Sequence, residues 1–227
     1  MKLFYLLRQK IGVWLVAAIR ARHGVVIFFG DEERRAALDL IAAVRKEVKM
    51  LLSDHEAYQL IMAARRTAKI PGDIAEVGTY RGGSSKLIAR SRAAARPMHL
   101  FDTFEGLPQV REIDSKFDTG QYGADFKQVK RYLSGYPDIF LYKGIFPATA
   151  DPIKDKKFSF VHLDVDLYDS TKQALEFFYP RMSRGGVIIS HDYMTAQGVR
   201  KAVDEFMQDK PEAVFESSWQ QCFIVKL

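Results

Sequence analysis

The stretch "FVHLDVDLYDST", residues 160–171, runs from an apolar segment into three aspartates, Asp164, Asp166 and Asp169, within six positions. Burying carboxylates without partners costs several kcal/mol. A strand that ends this way therefore leads either into a catalytic or metal site or into a solvated turn before a helix. Asp169-Ser170-Thr171 precedes the periodic "QALEFFY", so Asp169 or Ser170 is expected to cap that helix. Asp166 is open between a substrate contact and a solvated turn. His162, two positions before Asp164 on the strand, reads either as a hydrogen-bond partner or as core.

A second chemically suggestive stretch is "IAEVGTYRGGSS", residues 74–85, in which a strand leads through Gly78, Gly82 and Gly83 to Ser84-Ser85 at a helix start. Glycines let backbone approach a ligand, and free N–H groups at a helix start suit an anionic group. The spacing G-x-x-x-G-G is neither the G-x-G-x-x-G of dinucleotide sites nor a P-loop. Asp102 ends the next strand, 26 residues after Glu76. That is near the separation at which an acidic residue takes the ribose hydroxyls of a bound nucleoside. Together the two strand ends point to a nucleoside-containing cofactor.

These residues need a scaffold that brings strand ends together. Apolar runs at Ile74–Val77, Met98–Phe101, Ile139–Tyr142, Phe158–Leu163 and Gly186–Ile189 alternate with helical stretches Ser84–Ala95, Ala124–Leu133, Ser170–Met182 and Gly198–Met207. That alternation predicts an α/β fold, a mainly parallel open sheet covered on both faces. "AVFESSW" and "QCFIVKL" read as a terminal antiparallel strand pair. Upstream, Asp31 to about Leu52 is expected to be helical, and Ser53-Asp54-His55-Glu56 has the form of a capping box. The long connection 103–123 reads as a lid over the site or as a disordered loop.

The whole chain has 227 residues, 48% of them hydrophobic and 27% charged, enough for one large domain or a domain with a helical appendage. Residues 1–52 are expected to form an N-terminal helical cap and 53–227 the main domain. The single cysteine, Cys222, excludes an internal disulfide framework and suits a cytoplasmic setting. The net charge of +6 is dispersed, so no nucleic acid partner is expected. Residues 1–22 carry Leu3, Leu7, Ile11, Trp14 and Ala18 at helical spacing. This amphipathic helix would pack on the domain, join two copies in a homodimer, or rest on a membrane surface.

"EVGTYRGGSS", "FDTFEGLP", "LDVDLYDST", "YPRMSRGGVIISHDY" and "GVRKAVDEF", in that order, resemble the macrocin O-methyltransferase family over roughly residues 54–227. The resemblance implies a Rossmann-like class I methyltransferase fold that uses S-adenosyl-L-methionine and a divalent metal, Mg²⁺. By the same resemblance Glu76, Gly78, Tyr80, Gly82 and Ser84 would surround the methionine part of the cofactor. Asp102 would hold the ribose and Ile145 would lie beside the adenine. The metal ligands would be Asp164, His191 and Asp192. Relatives usually have Asp-Asp-Tyr where this chain has His191-Asp192-Tyr193. His191 could therefore bind a softer ion, act as a base, or only pack. The lysine of the more distant catechol enzymes has no counterpart, its place being taken by Leu167. If a base is needed, Asp166, His191 or a metal-bound hydroxide remains, and Asp164, His191 and Asp166 are the expected catalytic residues. The activity implied is methylation of a sugar hydroxyl on a glycosylated natural product or polysaccharide precursor. A phenolic acceptor, or a non-catalytic cofactor-binding role, would use the same fold.

Overall fold

The computed structural model describes residues 32–93, 96–217 and 219–227. Its centre is a seven-stranded sheet: β1 (Asp73–Val77), β2 (Met98–Asp102), β3 (Ile139–Lys143), β4 (Phe158–Leu163), β5 (Met182–Ser190), β6 (Val214–Glu216) and β7 (Cys222–Val225). The spatial order is β3-β2-β1-β4-β5-β7-β6. Strands β1 to β5 run parallel, and β7 joins β5 and β6 antiparallel. The chain order reverses at β1, between β2 and β4, which is where open sheets of this kind bind ligands, at the strands' carboxyl ends.

Both faces of the sheet are covered, which is why β1 and β4 read as near-continuous apolar runs. One face packs on α1 (Glu32–Glu47), α2 (Asp54–Arg66), α3 (Gly83–Ser91) and α4 (Phe126–Leu133), through Ile41, Leu60, Ile61, Leu87 and Leu133 against Ile74, Leu100 and Phe160. The other packs on α5 (Tyr168–Phe178) and α6 (Gln197–Met207), where Phe178 and Val203 meet Phe101, Phe158 and Leu163. Phe101, Phe158, Phe160 and Phe178 are fully buried. Each such side chain contributes about 1.5–3 kcal/mol by leaving water.

The sequence expectations hold for every strand and for the existence of the helices between them. α2 starts at the expected capping box, with the Ser53 hydroxyl accepting from Glu56 N–H and Glu56 Oε2 accepting from Ser53 N–H at 2.6 Å. α1 stops at Glu47, short of the expected Leu52, because Arg45 donates to the Met50 and Leu52 carbonyls and holds 48–52 in a non-helical path. The capping expectation for Asp169 or Ser170 is corrected. α5 begins at Tyr168, and no side chain of Leu167 caps it. Its first N–H donates instead to the buried carboxylate of Asp114, at 3.1 and 3.2 Å. Asp169, in the first turn, pairs with Arg111 at 2.7 Å.

Asp114 and Arg111 both belong to the long connection, which is ordered on the domain. Within it Leu107 and Gln121 pair through backbone, and Lys116 reaches the Thr195 carbonyl at 3.3 Å. The expected amphipathic helix of residues 1–22, with its membrane or dimer role, lies outside the described residues. Among the described residues no helix is long and apolar enough to cross a membrane.

Candidate active site

The parallel strands do not fray where they end. Gly78 N–H donates to the Phe101 carbonyl at 2.8 Å, Asp164 N–H to Val77 at 2.9 Å, and His191 N–H to Leu163 at 2.8 Å. The loops after β1, β4 and β5 are thus stitched side by side. A Cβ on Gly78 (φ +95°) would sit 1.8 Å from the Asp164 carbonyl oxygen, so only glycine lets the two chains approach this closely.

A cavity of about 360 Å³ opens above these ends. Gly78, Tyr80, Gly83, Ser84, Asp102 and Ile145 lie on one part of its wall, and Asp164, Asp166, His191 and Asp192 on another. Tyr122 and Lys116 of the long connection close over it, and Met50 and Leu51, in the segment after α1, line its rim. This volume falls in the range of small-molecule sites. Six non-glycine residues among those described have positive φ, and four of them, Tyr80, Tyr122, Asp166 and Asp192, line the cavity. Backbone strain of this kind persists where surrounding structure imposes it, and it gathers at functional sites.

Two of the expected cofactor residues lie elsewhere. Glu76 is fully buried beneath the cavity, where its carboxylate accepts from Ser85 Oγ and faces His162 Nδ1 at 2.9 Å. This answers the question over His162, which is a fully buried partner of Glu76. Gly82, at the left-handed N-cap of α3, faces Val129 and Tyr132 of α4. Asp102 does reach the wall, but its carboxylate is already engaged by Tyr80 N–H and Phe104 N–H, each at 2.6 Å. Burial raises its pKa in spite of those two donors. Asp102 thus ties the β1 and β2 loops together while keeping lone pairs for a ligand hydroxyl.

The polar end of the cavity is built from three loops. His191 Nδ1 lies 3.1 Å from Asp164 Oδ1 and 2.8 Å from Asp192 Oδ2. Its other nitrogen, Nε2, lies 3.1 Å from Oε1 of Glu56, a buried residue of α2 that sequence reasoning had assigned only to the cap. Carboxylates accept and do not donate, so an imidazole set between three of them carries a proton on each nitrogen when no cation is present. Burial alone would lower the His191 pKa, but Asp164, Asp192 and Glu56 drive it well above the ordinary value. Asp192 in turn is held at about 2: burial raises it, and the His191 imidazolium, the Thr195 hydroxyl and Lys116 outweigh that. Asp166 shifts the other way, pushed well above the usual carboxylate range by loss of solvent and by Asp164 and Asp192.

One ligand atom each from Asp164, His191 and Asp192 lie within 4.8 Å of one another. Two carboxylate oxygens and an imidazole nitrogen at that spacing fit a divalent cation. Glu56 and Lys116 carried no local sign of their roles, because each reaches the cluster from an element distant in sequence.

The family model for Macrocin-O-methyltransferase (TylF) matches residues 55–215. The chain belongs to this family. Among curated proteins, the chain is 32% identical over 153 residues to the 8-demethyl-8-(2,3-dimethoxy-alpha-L-rhamnosyl)-tetracenomycin-C 4'-O-methyltransferase of Streptomyces olivaceus, covering 60% of this chain and 58% of that one. It is 29% identical to the demethyldecarbamoylnovobiocin O-methyltransferase of Streptomyces niveus, with the same coverage. The chain therefore spans 58% of the length of these relatives. Among solved structures, the O-methyltransferase NovP aligns with TM-score 0.73 at 20% identity, over 86% of this chain and 98% of that one. The calicheamicin methyltransferase CalS11 aligns with TM-score 0.66 at 18% identity, over 87% and 94%. These two establish the class I methyltransferase fold for this macrocin O-methyltransferase family member.

Proposed function

We propose that the protein is an S-adenosylmethionine-dependent O-methyltransferase acting on a sugar hydroxyl of a glycosylated small molecule, with a divalent cation held by Asp164, His191 and Asp192. The observation that carries this reading is the two-ended cavity. A glycine loop, a helix N-terminus and Asp102 line one part, and a carboxylate–imidazole cluster lines the other. Family membership and the sugar-modifying relatives support the choice of acceptor.

In this reading the free N–H groups of α3 at Gly83 and Ser84 receive the cofactor's carboxylate. Asp102 accepts a ribose hydroxyl, and Ile145 offers an exposed apolar surface to the adenine. A bound divalent ion would supply a Lewis acid that lowers the pKa of the acceptor hydroxyl. The acceptor oxygen bonds to the methyl carbon as the carbon–sulfur bond breaks, and the electron pair stays on sulfur. Asp166, in its ionised form, takes the hydroxyl proton; its raised pKa makes it a stronger base than an exposed aspartate. His191 has both nitrogens turned to carboxylates and is not free to do so. Tyr80 and Tyr122, whose rings meet edge to face at 6.1 Å, orient the reactants and keep water out.

The test is release of S-adenosylhomocysteine from purified protein with rhamnosylated and other glycosylated acceptors, against phenolic ones, in a series of Mg²⁺, Mn²⁺ and Zn²⁺ and with excess chelator. Turnover that requires both a sugar acceptor and a divalent ion is expected. Full activity in chelator would remove the cation from this reading, and turnover of phenols alone would remove the sugar.

A further inference from the structure

Glu56 is 1% exposed, and its two carboxylate oxygens face opposite ways. Oε2 accepts the Ser53 N–H at 2.6 Å, which closes the capping box of α2. Oε1 is buried without another partner and lies 3.1 Å from His191 Nε2, which is likewise buried without another partner. The two are not in line for a good hydrogen bond, yet at 3.1 Å each is within reach of the partner it lacks. A capping residue needs only one oxygen, and a capping carboxylate is ordinarily solvated. Here the second oxygen is committed to the polar end of the cavity.

We infer that Glu56 is a positioning residue of the active site: by accepting the Nε2 proton of His191 it leaves Nδ1 to the cation that Asp164 and Asp192 would share. This rests on the reading of Asp164, His191 and Asp192 as a cation site. A histidine ligand whose second nitrogen donates to a carboxylate is fixed in ring orientation and tautomer, and it is a stronger donor to the metal. The helix cap and the site are therefore one unit. Ser53 N–H fixes the Glu56 carboxylate, Glu56 fixes the imidazole, and the start of α2 sets how His191 faces the cavity.

The same geometry makes one substitution sharply informative. In Glu56→Gln the Ser53 N–H still requires an acceptor, so the amide oxygen turns to Ser53 and the amide NH₂ faces Nε2. A donor at that point selects the opposite tautomer, with the proton on Nδ1, which cannot then bind a cation. The control is Ser53→Ala. It removes the hydroxyl half of the capping box and leaves the backbone N–H that aims Glu56.

Mn²⁺ binding by electron paramagnetic resonance and S-adenosylhomocysteine binding by calorimetry are measured on all three proteins. Glu56→Gln is expected to lose about 10–100-fold in Mn²⁺ affinity with cofactor product affinity unchanged. Ser53→Ala is expected to stay within about twofold of wild type on both. Wild-type Mn²⁺ affinity in Glu56→Gln, or an equal loss in Ser53→Ala, overturns the inference. If the wild type takes up no Mn²⁺, the cation part of the proposed function fails, and the imidazole proton decides the role of Glu56. A slowly exchanging Nε2–H resonance of His191, seen in wild type and Ser53→Ala and lost in Glu56→Gln, sustains it. The same resonance in all three overturns it.

Discussion

Replacing His191 with alanine withdraws the one cationic side chain set between Glu56, Asp164 and Asp192, and the cost can be worked from the geometry. The imidazole lies 3.1, 3.1 and 2.8 Å from the three carboxylates, and its side chain is 9% exposed. Removing one partner of a buried ion pair costs about 3–5 kcal/mol, because the remaining charge is left uncompensated. Several like charges left together would cost more, but protonation of a carboxylate relieves the excess, so the same range is expected. At about 2–4 °C per kcal/mol for a chain of this size, Tm should fall by roughly 6–20 °C. The sign of the pH dependence follows from the linked groups. His191 is raised in the folded state, so its contribution is complete below its unfolded pKa and fades as pH rises through the folded value. Glu56 and Asp192 are lowered, so theirs is complete above their unfolded values and fades as pH falls. The gap between wild type and His191→Ala is therefore widest at about pH 5–6, stays large at pH 7 because the folded His191 pKa lies well above the ordinary value, and narrows toward pH 3. Urea unfolding followed by circular dichroism, in chelator, at pH 7 and pH 3, measures both. A difference below about 1 kcal/mol at pH 7, or one that does not shrink in acid, would refute the ion cluster.

Two other perturbations test the frame around the site. Gly78→Ala would force the Asp164 carbonyl to move by more than an ångström, since contacts under 3.0 Å essentially never occur and the added carbon would start at 1.8 Å. Both S-adenosylhomocysteine and Mn²⁺ affinity should fall more than tenfold by calorimetry, and wild-type binding of both would show that the β1 and β4 loops are not coupled. Glu212 is buried beside Lys226 and Tyr179. Burial would raise its pKa, yet those partners hold it at about 2 against an ordinary 4.5. The lowered group contributes about 3 kcal/mol above its unfolded pKa, lost as pH falls from about 4.5 to 2. Glu212→Gln should thus be destabilised at pH 7 and match wild type near pH 2 in urea titrations; a gap that persists in acid would place the stabilisation elsewhere.

The parts of the fold that local sequence encodes were readable, and the parts made by distant residues were not. β1 and β4 announced themselves because strands buried on both faces are predominantly apolar, the buried Glu76 and His162 being paired with each other. The start of α2 was legible because a capping box is complete within four residues. The start of α5 was misread for the opposite reason. Its cap is Asp114, 54 residues upstream, and nothing near Leu167 records that the first N–H is already satisfied. The same distance effect divides the site. Asp164, Asp166 and Asp192 follow strand ends and were visible as candidates, whereas Glu56 shows only its capping face to a sequence reader. Glu76, which the family resemblance placed around the cofactor, sits beneath the cavity wall, and only the register of β4 reveals His162 beside it.

The aspartates after β4 divide once their neighbours are known. Asp169 turns away to Arg111 on the surface and takes no part in the cavity. Asp164 and Asp166 both face it, but their surroundings set them apart. Asp164 shares the His191 imidazole with Asp192 across adjacent strand ends, at a separation fixed by the backbone bonds that join β1, β4 and β5. Asp166 stands outside that sharing, in a strained left-handed conformation, and feels Asp164 and Asp192 chiefly as like charges. One environment favours the carboxylate that binds a cation or an imidazolium, and the other favours the carboxyl that exchanges a proton. Environments that drive neighbouring acids apart are how one site obtains both an electrostatic anchor and a base from the same residue type. In the proposed function the left-handed backbone at Asp166 accompanies that division, placing a carboxyl with a raised pKa beside Asp164 without a share of the imidazole.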